Sequence, residues 1–385
     1  MSPVYNKKYQ KILKSLDKIK AQDFSFSQGT ILGSMCAAPH PIAIDAYGKF
    51  LDTNLGDPEL FPGTKQMEEQ VIDFVKTMVH APKNASGQIV SGGTEGNITA
   101  MWIAKQLTGK KEIIIPKSAH FSFQKIALLM DMKLVDIPLT DDYVLNVSKL
   151  NKKITDNTAA VIGIAGSTEL GTIDPIHEIG EICVDNNVFF HVDAAFGGYI
   201  IPFLRTMNTA LPKFDFEVKG VSSISVDAHK MGYSAIPLGF LLTKQTEWFD
   251  NISVDSPYIS VKKHKGILGT RSGGPVAAAY AVSKYLGVQG YTDVVQHCMD
   301  VTKYTQERLE SIGLNLLINP PLNVLAVKLK NPALVSQKIS ERGWRVNAMN
   351  HLSSIRIVLM PHITSKMIDA FLPHLERVCI ECDEL

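Results

Sequence analysis

The sequence has few cysteines, almost no net charge and no long uninterrupted apolar run. Its 385 residues include five scattered cysteines, an odd number that does not fit the paired framework of a disulfide-stapled domain. The formal net charge of +1 argues against a nucleic-acid or membrane-surface partner held by electrostatics. The most apolar window, residues 188–204, is interrupted by His191, Asp193 and two glycines, so we expect no transmembrane span there.

Two further absences narrow the class of protein. Residues 1–10 are polar and lack the apolar core of a signal peptide, so we expect a cytoplasmic protein. Cys379 and Cys382 form a C-x-x-C pattern, but no second cysteine pair accompanies it, so we expect no metal site. With 45% hydrophobic and 20% charged residues, the chain has the composition of an ordinary globular protein with a sizeable core.

Short apolar segments alternate with helical patterns from residue 66 onward. Strands of this kind, separated by helices, are typical of a mostly parallel sheet that is covered on both faces. We therefore predict an α/β fold with a seven-stranded sheet. Its strands are expected near residues 88–90, 112–116, 133–138, 159–165, 188–192, 222–226 and 239–242.

The pattern changes on both sides of this region. Residues 5–20 place apolar side chains at helical spacing among lysines, which predicts an amphipathic helix. The C-terminal part is predicted to be a compact α+β module with strands near 314–318, 324–329, 344–349 and 355–359. We divide the chain into an N-terminal segment (1–60), a large domain (61–290) and a small C-terminal domain (291–385).

Lys230 follows an apolar, β-branched run that ends at Val226. It is therefore expected to leave the C-terminal end of a buried strand, where ligands collect in open α/β sheets. Burial disfavours the ammonium form, so the sequence predicts a lowered pKa for Lys230 and an amine that attacks a carbonyl. The aldehyde of pyridoxal phosphate is one such carbonyl. The alternative is a lysine that merely caps the strand.

Two other segments end strands in the same way. Asp193 closes the apolar segment 189–193, and a buried carboxylate there needs a cation, although a strand-terminal aspartate also commonly caps the next turn. The segment 91–97 (Ser-Gly-Gly-Thr-Glu-Gly-Asn) follows a strand and opens a helix, so its backbone N–H groups suit a phosphate. It matches neither the dinucleotide-binding pattern nor the P-loop.

Together these three features match the parts of pyridoxal phosphate. An amine suits the aldehyde, a helix N-terminus suits the phosphate, and a carboxylate suits the ring nitrogen. At about 4 Å and an effective dielectric near 20, an aspartate attracts a pyridinium by about 4 kcal/mol. That attraction equals roughly three pKa units, enough to keep the ring nitrogen protonated near neutral pH, so the ring acts as an electron sink.

Three further residues are candidates for contact with such a cofactor. His120 follows a strand and is placed to lie flat on the ring, although a lone histidine is more often an ordinary core or surface residue. Thr168 follows the strand before Asp193 and is a candidate for the ring-hydroxyl side. His229, beside Lys230, is a candidate for the phosphate.

The order of these motifs resembles the group II decarboxylases of pyridoxal-phosphate fold type I, and more narrowly the archaeal tyrosine/aspartate decarboxylases. The likeness runs from Gly29 to Pro361, almost the whole chain. The matching motifs are Asn-Leu-Gly-Asp-Pro (54–58), Ser-Gly-Gly-Thr-Glu (91–95), Ala-His-Phe-Ser (119–122), Gly-Ser-Thr-Glu-Leu-Gly-Thr (166–172), His-Val-Asp-Ala-Ala (191–195), Asp-Ala-His-Lys-Met (227–231) and Gly-Thr-Arg-Ser-Gly (269–273).

The resemblance implies a fold-type I transferase-like architecture and a role for each matched residue. Lys230 would carry the internal aldimine, Asp193 would pair with the pyridinium and His120 would stack on the ring. The remaining implied cofactor contacts are Gly93, Thr94, Thr168, Ala195, His229 and, reaching across from a partner subunit, Thr270. Family members are homodimers with shared active sites, and their substrates are amino acids, which are small molecules.

The activity implied is decarboxylation of L-tyrosine to tyramine, of L-aspartate to β-alanine, or both, through a quinonoid intermediate. These amines would feed methanofuran and coenzyme A synthesis. Tyr258 matches the family's mobile-loop tyrosine and is assigned as proton donor, the alternative being a residue that only closes the site. Arg356 is a candidate for a substrate carboxylate or for a structural acid.

Two other functions are compatible with the same motifs. A carbon–carbon lyase of the sphingosine-phosphate type shares the His-Lys and Asp features, but its substrate phosphate needs a basic pocket that residues 34–64 do not clearly supply. A catalytically silent pyridoxal-phosphate fold is disfavoured, because the candidate lysine, aspartate, histidine and tyrosine are all present.

Overall fold

Seven strands form one sheet at the centre of the larger part of the chain. The computed structural model describes residues 7–207 and 210–385, so the start of the predicted helix 5–20 and part of the polar segment 1–10 lie outside the described residues. In chain order the strands are β1 (Ser86–Val90), β2 (Glu112–Pro116), β3 (Lys133–Ile137), β4 (Thr158–Ile164), β5 (Phe189–Asp193), β6 (Val221–Asp227) and β7 (Gly239–Thr243).

The predicted seven-stranded, mostly parallel sheet is confirmed. The strand order across the sheet is β1-β7-β6-β5-β4-β2-β3, in which β7 pairs antiparallel with both of its neighbours. Strands β2, β4, β5 and β6 are buried at every residue, as expected for strands that are covered on both faces. Because β4, β5 and β6 are parallel neighbours, their carboxyl ends meet at one edge of the sheet.

Helices cover both faces of this sheet and extend beyond it. They are α1 (Lys7–Lys20), α2 (Pro41–Lys49), α3 (Pro62–Met78), α4 (Gly93–Thr108), α5 (Ser122–Met130), α6 (Val147–Leu150), α7 (Ile176–Asp185), α8 (Ile201–Met207), α9 (Gly273–Ser311), α10 (Pro332–Glu341) and α11 (Ser365–Glu381). Short 3₁₀ turns occupy Phe26–Gln28, Asn151–Lys153, Gly197–Tyr199, Thr246–Ile252 and Asn350–Leu352. Within the ranges described, no helix combines the length and apolarity that crossing a membrane requires.

The helix α1 confirms the amphipathic pattern of the N-terminal segment but buries none of its residues against the described parts of the chain. Ile12, Leu16 and Ile19 are each at least half exposed. Isolated helices of this length are marginal in water, so packing normally supplies most of their stability. The apolar side of α1 is therefore a surface that suits a partner.

The C-terminal part has its own apolar core and a three-stranded sheet. After the short pair β8 (Val254–Asp255) and β9 (Lys263–His264), strands β10 (Val324–Lys328), β11 (Asn347–Met349) and β12 (Ser354–Val358) pair antiparallel in the order β10-β12-β11. The core includes Leu309, Ile355 and Phe371. The small α+β unit predicted from the sequence is therefore present.

One sequence prediction in this region is wrong and another is confirmed. The strand predicted at 314–318 is a loop, because only Leu316 pairs, through one isolated bridge to Val327. The two helices predicted at 276–285 and 291–311 are confirmed, because non-helical backbone at Gly287, whose φ is 55°, separates two helical stretches within α9. The proposed domain boundary near residue 290 falls just past Gly287, and the three-part division stays a prediction.

Candidate active site

A cavity of about 300 Å³ opens at the carboxyl ends of the parallel strands. Asp193 ends β5 and Asp227 ends β6, so the two carboxylates come to the same edge of the sheet from neighbouring strands. The turn before α4 and the turn after β6 supply the other walls. Among the predicted cofactor-binding residues, those that line the cavity are Gly93, Thr94, His120, Thr168, Asp193, Ala195, His229 and Lys230.

Lys230 lies in the turn after β6, as the sequence predicted, but its electrostatic environment differs from the prediction. Its Nζ atom is 3.1 Å from Asp227 Oδ2, and the side chain is 20% exposed. Burial by itself lowers the pKa of Lys230, but the carboxylates of Asp227 and Asp193 outweigh that effect, so the pKa is raised. The predicted lowering is therefore wrong for the ligand-free protein, because the prediction left out Asp227.

Asp193 is buried and accepts three hydrogen bonds. Asn97 Nδ2 donates to its Oδ2 at 2.8 Å, while the Ala195 backbone N–H and Ser225 Oγ donate to its Oδ1 at 3.1 and 3.3 Å. A buried carboxylate is tolerated only when donors or a cation satisfy it. These donors fix the orientation of the carboxylate at the cavity wall.

A second layer of buried polar side chains holds Asn97 in turn. His191 Nε2 lies 3.0 Å from Asn97 Oδ1, and His191 Nδ1 lies 2.7 Å from Ser223 Oγ. Burial lowers the pKa of His191 to about 4, so this ring is neutral near neutral pH. Because residues two apart on a strand face the same side, the pairs His191/Asp193 and Ser223/Ser225 were the available sequence signal. That signal did not identify Asn97, which lies on another element.

The turn before α4 has the geometry of an anion cradle. Gly92 precedes the helix with φ 140° and makes no side-chain cap, so the first N–H groups of α4 are left for a ligand. A Cβ at Gly92 would lie 3.0 Å from His229 Cε1, and one at Gly93 would lie 3.1 Å from the Ala195 Cβ. Side chains at either position would fill the space beside the helix N-terminus, which fits a phosphate group there.

We expect Gly92→Ala to weaken pyridoxal phosphate binding about tenfold or more, because an alanine at this φ costs about 1–3 kcal/mol and crowds His229. Titration of the cofactor-free protein with pyridoxal phosphate, followed by absorbance, measures the effect. Gly109→Ala is the matched control, since Gly109 ends the same helix with φ 68° and its Cβ would meet no atom within 4 Å. Equal affinities for the two variants would contradict the cradle.

His120 lines the cavity and makes one polar contact and one aromatic contact. Its Nδ1 accepts a hydrogen bond from the Ser122 backbone N–H at 3.2 Å, and its ring centroid is 4.0 Å from that of Phe121. Burial lowers the pKa of His120 more than the nearby Asp193 raises it. The imidazole is therefore neutral at neutral pH, which suits stacking on a ring that carries positive charge.

Arg356 lies behind the cavity wall and does not line it. Its guanidinium donates to the backbone carbonyls of Thr168 and Gly33 at 2.5 and 2.8 Å, while its buried Nε has no hydrogen-bond partner among residues 7–207 and 210–385. Burial lowers the pKa of Arg356, and Glu169 acts in the opposite direction. In this structure Arg356 therefore connects the C-terminal sheet to the loop that carries Thr168.

Tyr258 and Thr270 lie on exposed loops outside the cavity of their own chain. The Tyr258 side chain is 89% exposed. The loop that carries Thr270 is anchored by Arg271, which donates to the Leu55 carbonyl at 2.9 Å and pairs with the buried carboxylate of Glu68. Motifs 54–58 and 269–273 stand out in the sequence, whereas Glu68, the buried carboxylate that pairs with Arg271 where the two motifs meet, does not.

Comparison with known proteins identifies the family. The model of the pyridoxal-dependent decarboxylase conserved domain matches residues 34–326. The chain belongs to this family. It is a pyridoxal-phosphate-dependent amino-acid decarboxylase, and the resemblance seen in the sequence is confirmed.

Relatives of this decarboxylase match along nearly their whole length. The chain is 43% identical over 360 residues to a probable L-tyrosine/L-aspartate decarboxylase of Methanothermobacter thermautotrophicus, covering 92% of this chain and 98% of that protein. It is 42% identical over 374 residues to an L-aspartate/L-glutamate decarboxylase of Pyrococcus horikoshii, covering 96% and 97%.

Solved structures with the same fold include enzymes of two activities. The decarboxylase matches a sphingosine-1-phosphate lyase of Burkholderia pseudomallei with a TM-score of 0.89 and 24% identity, covering 99% of this chain and 92% of the other. It matches a Lactobacillus brevis glutamate decarboxylase with a TM-score of 0.86 and 21% identity, covering 100% and 94%. At these identities the matches show the fold, and the predicted fold-type I architecture is confirmed.

Proposed function

We propose that this decarboxylase acts on L-tyrosine, L-aspartate or both, releasing carbon dioxide and giving tyramine or β-alanine. The observation that carries the proposal is the 43% identity, along nearly the full length of both chains, to a protein named a probable L-tyrosine/L-aspartate decarboxylase. In the proposed pathways tyramine serves methanofuran synthesis and β-alanine serves coenzyme A synthesis.

Different residues of the cavity would contact different parts of the cofactor. Lys230 would supply the amine for the aldehyde, Asp193 would face the ring nitrogen and His120 would lie over the ring. Gly93, Thr94 and His229 would hold the phosphate, while Thr168 and Ala195 would complete the walls around the ring. When bound, pyridoxal phosphate withdraws the electrons that the bond between Cα and the carboxylate leaves behind.

The protein itself contributes orientation, charge and a proton. Asp193, held by Asn97 and Ser225, keeps a fixed negative charge at the ring-nitrogen end of the site. The walls must hold the substrate so that the bond to its carboxylate stands perpendicular to the ring. A proton then has to reach Cα, and we assign Tyr258 as its donor.

We propose a homodimer in which each subunit completes the other's site. Three observations support it: the apolar side of α1 is exposed, Tyr258 is 89% exposed, and the loop with Thr270 lies outside its own chain's cavity. An exposed apolar face of this kind commonly marks a subunit interface. Tyr258 and Thr270 would then reach the partner subunit's cavity.

We expect Tyr258→Phe to bind pyridoxal phosphate as tightly as the wild type but to release amine more slowly or divert substrate to side products, because the ring stays while the acidic hydroxyl is lost. Parallel measurement of carbon dioxide, amine and aldehyde follows the partition. Tyr285→Phe, which changes another exposed tyrosine, is the control. Wild-type turnover with unchanged products would reject the role of Tyr258.

The substrate is tested by direct incubation. Purified enzyme with pyridoxal phosphate is supplied with L-tyrosine, L-aspartate or L-glutamate, and carbon dioxide and amine are measured for each. Release from L-glutamate alone would overturn the proposed substrates. A fourth incubation with a phosphorylated long-chain amino alcohol tests carbon–carbon lyase activity, and aldehyde formed there without decarboxylation of any amino acid would overturn the proposal altogether.

A further inference from the structure

Asp227 is a buried carboxylate at the cavity that sequence analysis did not select. Asp227 is the last residue of β6 and precedes Lys230 by three residues. Its side chain is 3% exposed. Glycine residues lie close to it on two sides: a Cβ on Gly239 would clash with Oδ1, and one on Gly93 would lie 3.2 Å from Oδ2. The carboxylate therefore fits only because residues 239 and 93 are glycines, since larger side chains there would occupy the same space.

The two oxygens of Asp227 have different surroundings. Oδ1 is buried, and no donor in the described ranges hydrogen-bonds to it. Oδ2 lies 3.1 Å from Lys230 Nζ and 3.9 Å from His229 Nε2. A buried carboxylate with one unsatisfied oxygen is costly unless a cation lies beside it, so the ion pair with Lys230 is what makes this arrangement stable.

We propose that Asp227 is a positioning residue whose ion pair holds the Lys230 amine inside the cavity in its protonated form until the pair opens. The proposal rests on the proposed role of Lys230 as the amine that binds the cofactor. An ammonium has no lone pair, so it must first give its proton to solvent. The free amine then reacts with an aldehyde to form a carbon–nitrogen double bond, and one water leaves.

Every titratable group that faces Lys230 bears on this state. Burial alone lowers the pKa of Lys230, whereas Asp227 first, then Asp193 and Cys36, raise it, and the net direction is upward. His120, which lines the same cavity, also interacts electrostatically with Lys230. Asp227 is the carboxylate in direct contact, so its removal should change the protonation of Lys230 more than removal of any other neighbour.

The test measures how Lys230 titrates in the cofactor-free protein. Trace acetic anhydride is applied at a series of pH values, and acetylation of the peptide containing residue 230 is quantified by mass spectrometry. Each acetylation forms an amide and releases acetate and a proton, so its rate follows the fraction of free amine. The wild-type midpoint is expected above that of an ordinary exposed lysine in the same protein.

Asp227→Asn keeps the shape of the side chain and removes its charge. We expect this variant to label Lys230 at least about tenfold faster than the wild type near about pH 8, because one pKa unit is a tenfold change in free amine. Asp215→Asn is the matched control, since Asp215 is also buried and lies 3.8 Å from a cationic nitrogen, Arg205 Nη1, but outside the cavity lining. Its labelling curve should match the wild type.

Three results would overturn the proposal: a wild-type midpoint below that of ordinary lysines, an Asp227→Asn curve identical to the wild type, or a uniform loss of labelling with no change in midpoint. The wild-type curve decides the question even if the variant does not fold. Failure of the proposed function is recognised separately. In that case borohydride treatment of wild-type protein with pyridoxal phosphate would leave no cofactor mass on the peptide of residue 230.

Discussion

Replacing Lys230 with alanine is expected to lower turnover at least about a thousandfold and to remove the absorbance of lysine-bound pyridoxal phosphate. Lys230 lines the cavity in the turn after β6, 3.1 Å from the Asp227 carboxylate, and it also interacts electrostatically with Asp193. Alanine offers no amine there, so the cofactor would be held only by its phosphate and ring contacts. Steady-state decarboxylation and absorbance titration measure the two effects.

A control separates this loss from a general effect of removing a lysine. Lys303 lies on α9, is exposed and pairs only loosely with Glu307, at 4.0 Å. Lys303→Ala should therefore retain wild-type turnover and the cofactor band. If Lys230→Ala also retained them, another amine would have to bind the aldehyde, and the assignment of the site would be wrong.

The second large effect is expected for Asp193→Asn. An aspartate about 4 Å from a pyridinium, at an effective dielectric near 20, contributes about 4 kcal/mol. Loss of that contribution corresponds to about a thousandfold in the protonation equilibrium of the ring nitrogen. Turnover is expected to fall by about this factor, because an unprotonated ring is a weaker electron sink.

The measurement for Asp193→Asn combines turnover with a pH titration of the bound cofactor's absorbance. A merely structural change would lower turnover without moving the titration, whereas the proposed role requires the ring nitrogen to lose its proton at lower pH. Asp215→Asn, at a buried carboxylate elsewhere that lies 3.8 Å from Arg205 Nη1, serves as the control. An unchanged titration in Asp193→Asn would contradict contact between this carboxylate and the ring.

The sequence allowed prediction of those site residues that stand at the ends of recognisable strands. Asp193 and Lys230 each follow a run of buried apolar residues, and that local pattern is enough to place them at one edge of a parallel sheet. Gly92 and Gly93 were predictable for the same reason, since a glycine turn between a strand and a helix is visible in a short window.

Interactions between elements could not be predicted in this way. Asn97 meets Asp193 only because α4 packs across β5 and β6, and no local pattern specifies that contact. The predicted direction of the pKa shift of Lys230 was wrong for a related reason. Burial can be predicted from an apolar run, but the 3.1 Å contact with Asp227 depends on how the turn folds back. The strand predicted at 314–318 is wrong because the segment pairs with β10 only through one isolated bridge, Leu316 to Val327, and the local apolar pattern does not show how far such pairing extends.

One helix, α4, carries residues at both ends of the proposed cofactor site. Its first turn forms the proposed anion cradle, and Asn97, one turn further along, donates to Asp193, the carboxylate proposed to face the ring. With a rise of about 1.5 Å per residue, the spacing between these two contacts is built into the helix and not into loops. Redesign toward a longer or shorter prosthetic group would thus require rebuilding the helix, because no hinge lies between its anchoring points.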